Sequence, residues 1–362
     1  MSPEPPAAGL ARAATLPAAL YRGEEPLVRE QARVFARTWQ LVGRACDLAE
    51  PGQYVTARVA GEPLVVARGQ DGRLRALSAV CRHRAGCVAA GSGRRQAFQC
   101  AYHGWTYGLD GALQATPEFE GVQDFDPARF GLPAFRVESF GPFVFVNLDP
   151  QAPPLLEWLA PVPAETAHLP LARLRLYRSH DYLIECNWKV YVDNYLEGYH
   201  IPIVHPGLFR LLDYRAYRVE THRHVSKQHA PLRAQSTGSL YHRGLHAGAA
   251  PEALYYWAFP NLMLNLYPDN LQVNLILPDG PRRTLTRFEW YVLDPDRPGW
   301  EQEFRASFAF SDEVQAEDIA VCEAVQRGLE APSYDRGRYS VQRENGLFHF
   351  HALLQEFLAR SA

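Results

Sequence analysis

The stretch Cys81–Trp105, "CRHRAGCVAAGSGRRQAFQCAYHGW", decides how the chain is read. It carries a Cys-x-His pair, Cys81 and His83, and a Cys-x-x-His pair, Cys100 and His103, with sixteen residues between the pairs. Two thiolates and two imidazoles at such spacing hold metal, and two fillings suit the residue types. One is a closed tetrahedral zinc site. The other is a 2Fe-2S cluster in which the cysteines take one iron and the histidines the other. The interleaving leans toward the cluster, because each short loop then supplies both irons, whereas zinc fingers more often pair Cys with Cys and His with His. Gly86, Gly91, Gly93 and Gly104 let backbone N–H groups approach cluster sulfides closely. Trp105 and Tyr107 are placed to shield such a cluster, and Cys87, inside the loop, is expected to pack or to support the site rather than to ligate.

Outward from this stretch, "CRHR" together with "CAYHGWTYGLDG" resembles the Rieske signature of the ring-hydroxylating, or Rieske non-haem iron, oxygenases. The resemblance implies an α+β chain in which a small all-β Rieske domain is inserted in a larger, helix-grip-like catalytic domain with an antiparallel sheet. The pattern of residues points the same way. From Gln53 to Asn147 run short segments rich in Val, Phe and Tyr, such as "GEPLVVARG" and "FVFVNLD", punctuated by Gly, Asp and Pro. The proline-rich "PQAPPLLEWLAPVPAE" then marks a boundary. Beyond it "LMLNLY", "LQVNLILP" and "TLTRFEWYVLD" read as an antiparallel meander, and "NWKVYVDNYLEGYH" and "SDEVQAEDIAVCEAVQRGL" as helices. Ahead of the β region, "EPLVREQARVFARTWQLVG" has Leu27, Val28, Ala32, Phe35 and Trp39 at helical spacing. The expected divisions are an arm and helix over 1–38 packing on the catalytic domain, a Rieske domain over 39–150 and a catalytic domain over 151–362.

Composition sets the class. The 362 residues are 47% hydrophobic and 21% charged, and 37 basic against 40 acidic residues leave a net charge of -3, which argues against a nucleic-acid or anionic-membrane surface. No stretch approaches the roughly 20 apolar residues of a membrane helix. Six cysteines are too few for a disulfide scaffold, so a reducing cytoplasm is expected. Cys46, Cys186 and Cys322 lie in apolar surroundings and are expected as small buried hydrophobes.

A 2Fe-2S cluster moves electrons singly, so an oxygenase needs a second metal, for which two His and one carboxylate on Fe(II) are the expected donors. In "NWKVYVDNYLEGYHIPIVHP" a helical wheel puts Val190, Asp193, Asn194, Glu197 and His200 on one face and Trp188, Tyr195 and Tyr199 elsewhere. Pro202 should end that helix near His200 and leave His205 on a following loop. The stretch is similar to the family's iron-binding segment. That resemblance implies His200 and His205 as iron ligands, Glu197 as the carboxylate bridging the two metal centres, and Asn194 and Asp193 as its supports. The commonest family pattern has Asp where Glu197 stands, and Glu there is associated with oxygenases of quaternary ammonium compounds. For the third ligand, Asp318 falls amid an apolar stripe of Val314, Val321, Cys322, Val325 and Leu329, with Glu317 well off it. A lone carboxylate on a buried face needs a counter-charge or a metal, and "EDIAVCEAVQRGL" looks like the family's late helix that carries the ligating Asp.

The resemblance thus implies a terminal oxygenase with one 2Fe-2S cluster and one Fe(II) per subunit, using O2. Electrons would come from NAD(P)H through a separate flavin or iron-sulfur reductase, with or without a ferredoxin, because no G-x-G-x-x-G fingerprint follows a strand here. It also implies a C3 homotrimer with His103 hydrogen-bonded across the interface to Glu197. For substrate, Tyr255, Tyr256, Trp257 and Phe259 in "ALYYWAFPNL" are candidates for an aromatic cage around a quaternary ammonium group. Core packing is the alternative for that run. Hydroxylation or demethylation of a betaine-like or choline-like compound, aromatic-ring dihydroxylation and O-demethylation all stay open. Two readings from other classes are a Rieske electron-transfer protein without oxygenase activity and a zinc-stabilised binding protein.

Overall fold

The computed structural model describes residues 6–233, 252–296 and 298–360. The chain forms two units, one of residues 31–157 and one in which residues 1–30 join 158–362.

The smaller unit is built of strands because its apolar residues alternate. It holds β1 (Gln40–Arg44), β2 (Gln53–Val59), β3 (Glu62–Arg68), β4 (Leu74–Ser78), β5 (Ser92–Arg94), β6 (Ala97–Gln99), β7 (Thr106–Gly108), β8 (Leu113–Ala115), β9 (Ala134–Phe140) and β10 (Phe143–Asn147). They make a seven-stranded sheet in the order β1-β10-β9-β4-β3-β2-β5 and a three-stranded sheet β6-β7-β8. Leu64, Val65, Val66 and Ala67 of β3 are all fully buried, yet they serve different cores. Val65 and Ala67 join Leu77, Phe98, Trp105 and the two cysteines Cys81 and Cys100. Leu64 and Val66 join Ala76, Val144 and Val146 on the other face, as the two-residue period of a strand requires. The first core roots the metal-binding loops.

The larger unit carries β11 (Arg175–Ile184), β12 (Arg218–Thr221), β13 (Val225–Pro231), β14 (Glu252–Ala258), β15 (Leu262–Leu266), β16 (Leu271–Pro278) and β17 (Thr284–Val292). They form one antiparallel sheet in the order β11-β17-β16-β15-β14-β13-β12. The expected meander is β15 to β17. The helices in chain order are α1 (Pro6–Arg12), α2 (Glu24–Arg33), α3 (Leu155–Trp158), α4 (Val162–Glu165), α5 (Trp188–Tyr195), α6 (Ile201–Val204), α7 (Pro206–Leu211), α8 (Trp300–Leu329) and α9 (Asn345–Ala359). None among the described residues is long and apolar enough to cross a membrane.

Several local expectations are corrected. The helix expected through Trp39 ends at Arg33, with only a 3-10 turn at Phe35–Arg37 before β1 starts at Gln40. Val28 is 62% exposed, so the periodicity there was partly accidental. The helix expected to reach His200 stops at Tyr195. Pro202 does not end a helix but sits in the first turn of the short α6, where its missing N–H costs nothing. Cys46 is exposed rather than buried, while Cys186 and Cys322 are buried as expected. Cys87 is also exposed, which removes a packing role; its thiol donates to the Ala89 carbonyl at 2.8 Å.

Two glimpses of packing fix the catalytic helix α5. Glu30 on α2 and Lys189 on α5 form an ion pair at 2.6 Å with both side chains fully buried, and Trp188 Nε1 donates to the other Glu30 oxygen at 2.7 Å. Burial depresses the Lys189 pKa, and Glu30 opposes that shift. At the start of α5, the Asn187 side chain caps the helix by accepting from Lys189 N, while its backbone N–H donates to Gln326 of α8 at 2.9 Å.

Candidate metal centres

In the smaller unit the two ligand loops close in the same way. Ala85 N donates to Cys81 O at 3.0 Å and Gly104 N to Cys100 O at 3.0 Å; Cys81 N donates to Gly86 O at 2.7 Å and Cys100 N to Trp105 O at 2.8 Å. Residues four beyond each cysteine, Ala85 and Gly104, adopt the left-handed region at φ 57° and 75°. Each loop therefore turns its cysteine inward, and both thiols are buried. The His83 and His103 rings lie 4.7 Å apart, and His83 is stacked on Trp105 at 4.9 Å with 10° between planes. His83 Nδ1 is buried with no hydrogen-bond partner, an expensive arrangement for a polar atom unless a metal takes the lone pair. A Cβ on Gly86 would stand 2.7 Å from Cys100 Sγ, so the loops meet with no room for a side chain. The Tyr107 hydroxyl lies 3.2 Å from Cys81 Sγ and accepts from Arg82 N at 2.9 Å; burial first, and then the thiol, push its pKa upward. This donor set fits an iron-sulfur cluster.

In the larger unit, donor atoms of His200, His205 and Asp318 lie within 4.8 Å of one another, the one such group of three or more among the described residues. After α5 the chain turns through Leu196–Tyr199, and one carboxylate organises that turn. Glu197 accepts from Tyr199 N, from His200 N at 3.1 Å and from His200 Nδ1 at 2.6 Å. His205, at the junction of α6 and α7 and 1% exposed, donates from Nδ1 to Glu317 Oε2 at 2.6 Å. A carboxylate only accepts, so each imidazole carries a proton on Nδ1 and turns Nε2 to the other side of the ring. Those two Nε2 atoms stand 3.8 Å (His200) and 3.0 Å (His205) from Asp318 Oδ1. His205 Nε2 thus lies within hydrogen-bond distance of the carboxylate, and two imidazole nitrogens converging on one carboxylate oxygen make the donor set of a mononuclear iron. Burial opposes charge on His205, but Asp318 and Glu317 outweigh it and raise the pKa. Asn194 Nδ2 donates to Asp318 Oδ1 at 2.6 Å.

Asp318 reaches this point because the inward stripe of α8 is Gln315, Asp318, Cys322, Gln326 and Leu329; Val325, expected on it, is 45% exposed. A helical wheel puts Glu317 off the stripe. It meets His205 from the flank of the helix, and only the close approach of His205 reveals it. Asp193 is corrected: its carboxylate takes Tyr21 OH at 2.7 Å and His351 Nε2 at 3.0 Å, not the His200–His205–Asp318 group.

The cavity over this group is lined by aromatic rings and amides, among them Tyr195, Tyr255, Tyr267, Gln272, Asn274 and Trp290, together with Glu197 and Asp318. Tyr195, expected to point away, faces into it. Of the four aromatic residues expected as a cage, Tyr255 lines the cavity and the others do not. Tyr256 lies on the opposite face of β14, where its hydroxyl donates to Glu165 at 2.6 Å. Trp257 and Phe259 pack on Phe350 of α9 at 5.3 and 6.4 Å. Strand alternation turns Tyr256 away, while Trp257 and Phe259 share the parity of Tyr255 but lie further along, against α9.

Paired Cys/His loops on a β unit and a two-histidine, one-carboxylate group under an antiparallel sheet define an oxygenase of the Rieske type. The chain belongs to the ring-hydroxylating oxygenase family: the family's sequence model for the "Ring hydroxylating alpha subunit (catalytic domain)" matches residues 171–360, and that for the "Rieske [2Fe-2S] domain" matches 38–126. It is similar to the chloroplastic choline monooxygenase of Arabidopsis thaliana, 37% identical over 96% of this chain and 84% of the relative. It is also similar to the carnitine monooxygenase oxygenase subunit of Escherichia coli K12, 30% identical over 94% and 93% of the two chains. The crystal structure of the quaternary ammonium Rieske monooxygenase CntA with L-carnitine superposes with a TM-score of 0.82 at 28% identity, covering 99% of each chain. The chain is accordingly an oxidoreductase with a Rieske 2Fe-2S cluster and a mononuclear iron that uses dioxygen.

Proposed function

We propose that the chain is the terminal component of a monooxygenase acting on a small quaternary ammonium compound, inserting one oxygen atom into a C–H bond next to the cationic nitrogen or along its substituent. Two electrons and two protons reduce the second oxygen atom to water. Cys81 and Cys100 would hold one iron of the cluster, His83 and His103 the other, and His200, His205 and Asp318 the mononuclear iron. When bound, the cluster supplies single electrons and the iron activates dioxygen. The residues of the chain do the rest: Glu197 and Glu317 fix both imidazoles with Nε2 inward, Asn194 steadies Asp318, and the aromatic walls keep water from the cavity. The observation that carries the reading is a cavity whose walls include Tyr195, Tyr255 and Tyr267 together with two carboxylates, Glu197 and Asp318, a setting that favours a cation. Choline and carnitine, for which the relatives are named, belong to the same class.

A crystal structure of a related carnitine-oxidising enzyme is described in terms of inter-subunit electron transfer. On that support we assign a C3 homotrimer, in which Glu197 links His200 to His103 of the partner subunit, and a separate reductase. No disulfide joins the six cysteines, which supports the cytoplasm. The test joins metal analysis with turnover. One cluster and one iron require three irons and two acid-labile sulfides per chain. With a surrogate reductase, oxygen uptake should follow quaternary amines and not aromatic acids, with formaldehyde marking demethylation. Zinc in place of sulfide, or uptake with aromatic acids alone, would overturn the proposal.

A further inference from the structure

We infer that the cationic head of the substrate sits in a corner formed by Tyr195, Tyr255 and Tyr267, with its polar end directed to the amide row of Gln272, Asn274 and Gln315. The inference rests on the proposed substrate class and adds to it the subsite and the orientation.

The three rings come from distant parts of the chain, the end of α5, β14 and the β15–β16 turn, and all three line the cavity. Tyr255 stands perpendicular to both neighbours, at 81° and 6.5 Å from Tyr195 and at 78° and 5.9 Å from Tyr267. Each of the three residues keeps part of its surface uncovered. A group at such a corner lies within the roughly 6 Å reach over which a ring face attracts a cation. The rings are also held still. Tyr195 OH donates to Asn265 Oδ1 at 2.6 Å, so the hydroxyl dipole is spent on the protein and the ring cannot swing. Burial raises the Tyr195 and Tyr267 pKa values, which keeps both phenols neutral.

A second aromatic corner, Phe288, Trp290 and Phe308, lines the same cavity, with ring separations of 6.0 and 5.8 Å. It is already claimed by a cation. The Arg178 guanidinium, paired with Asp312 at 3.0 Å, lies 4.6 Å from the Trp290 ring centroid and covers that face of the ring. The other end is marked by unmet hydrogen bonds. Asn274 Oδ1 and Gln315 Nε2 are buried without partners, on side chains 4% and 2% exposed. One acceptor and one donor so placed fit a hydroxyl or carbonyl group of the substrate, and an apolar tail would leave both unpaired.

The experiment compares choline with its uncharged carbon isostere, 3,3-dimethylbutan-1-ol, by calorimetric titration of the cluster-loaded protein under anaerobic conditions. Wild type should bind choline at least tenfold more tightly than the isostere. Tyr255→Leu and, separately, Tyr267→Leu should each weaken choline by about tenfold with little change for the isostere, and Tyr255→Phe should keep the wild-type preference. The visible spectrum of the cluster and the thermal midpoint report that each variant is folded. Equal loss of both ligands, or no loss in either Leu variant while wild type still prefers choline, would overturn the corner and leave the substrate class standing. No preference for choline in wild type would overturn the class and the corner together.

Discussion

Glu317 holds His205 as firmly as Glu197 holds His200, each at 2.6 Å. Both carboxylates act on the Nδ1 side and leave Nε2 for metal. Glu317→Ala should therefore weaken Fe(II) or Co(II) binding to the iron-depleted mononuclear site by about 10- to 100-fold, the usual scale for a lost partner of a ligating histidine. A metal titration with the Rieske spectrum as internal control checks this, and unchanged affinity would contradict the role. Gly86 offers a second test. A Cβ there meets Cys100 Sγ at 2.7 Å, so Gly86→Ala is expected to lower sulfide and iron content sharply while the larger unit keeps its thermal transition. The residues legible in the sequence were those whose partners are near in the chain or on one helical stripe, Cys81 with His83, His200 with His205, and Asp318. Glu317 and the corner of Tyr195, Tyr255 and Tyr267 depend on approaches between distant segments, which no local period encodes.

Among the elements, the pairing of α2 with α5 is the most consequential. Glu30 and Lys189 are both fully buried, so removing one leaves an uncompensated charge in the core. Glu30→Gln should cost about 3–5 kcal/mol, and the double change to Met at both positions should recover most of it. Denaturant titration of the larger unit's transition measures both. The antiparallel meander β15–β17 was readable because its segments are apolar, β-branched and bounded by turn residues. The end of α5 was not. Nothing in "NYLEGYHI" breaks a helix as strongly as Pro202 does, yet the chain leaves the helix at Leu196 because the Glu197 carboxylate captures two backbone N–H groups of the next turn. That local bond competes with helical pairing and prevails.

For the molecule as a whole, acid sensitivity follows from two buried histidines. Burial, aided by Arg223, depresses His224 to about 4; burial likewise depresses His349 to about 4 against the backbone carbonyls of Arg223 and His222. Glu356 raises and Arg360 lowers the His224 value, and its ring is stacked on Trp158 at 3.7 Å. The unfolded chain binds these protons near pH 6.5 and the folded one near 4. Stability is thus complete above the unfolded value and declines as pH falls from there toward 4, by about 1–2 kcal/mol per histidine at pH 5. Urea midpoints at pH 7.5 and 5 should show the loss, and His224→Phe should reduce it. The division into units bears on how the chain is made. Residues 31–157 are contiguous and can finish folding while the rest is still being synthesised, but residues 1–30 belong with 158–362. Glu30 must wait for Lys189, and the backbone of Thr15 and Ala18 for Gly337 and Asp335. Residues 15–30 therefore cannot complete their packing until the chain has been made as far as Gly337.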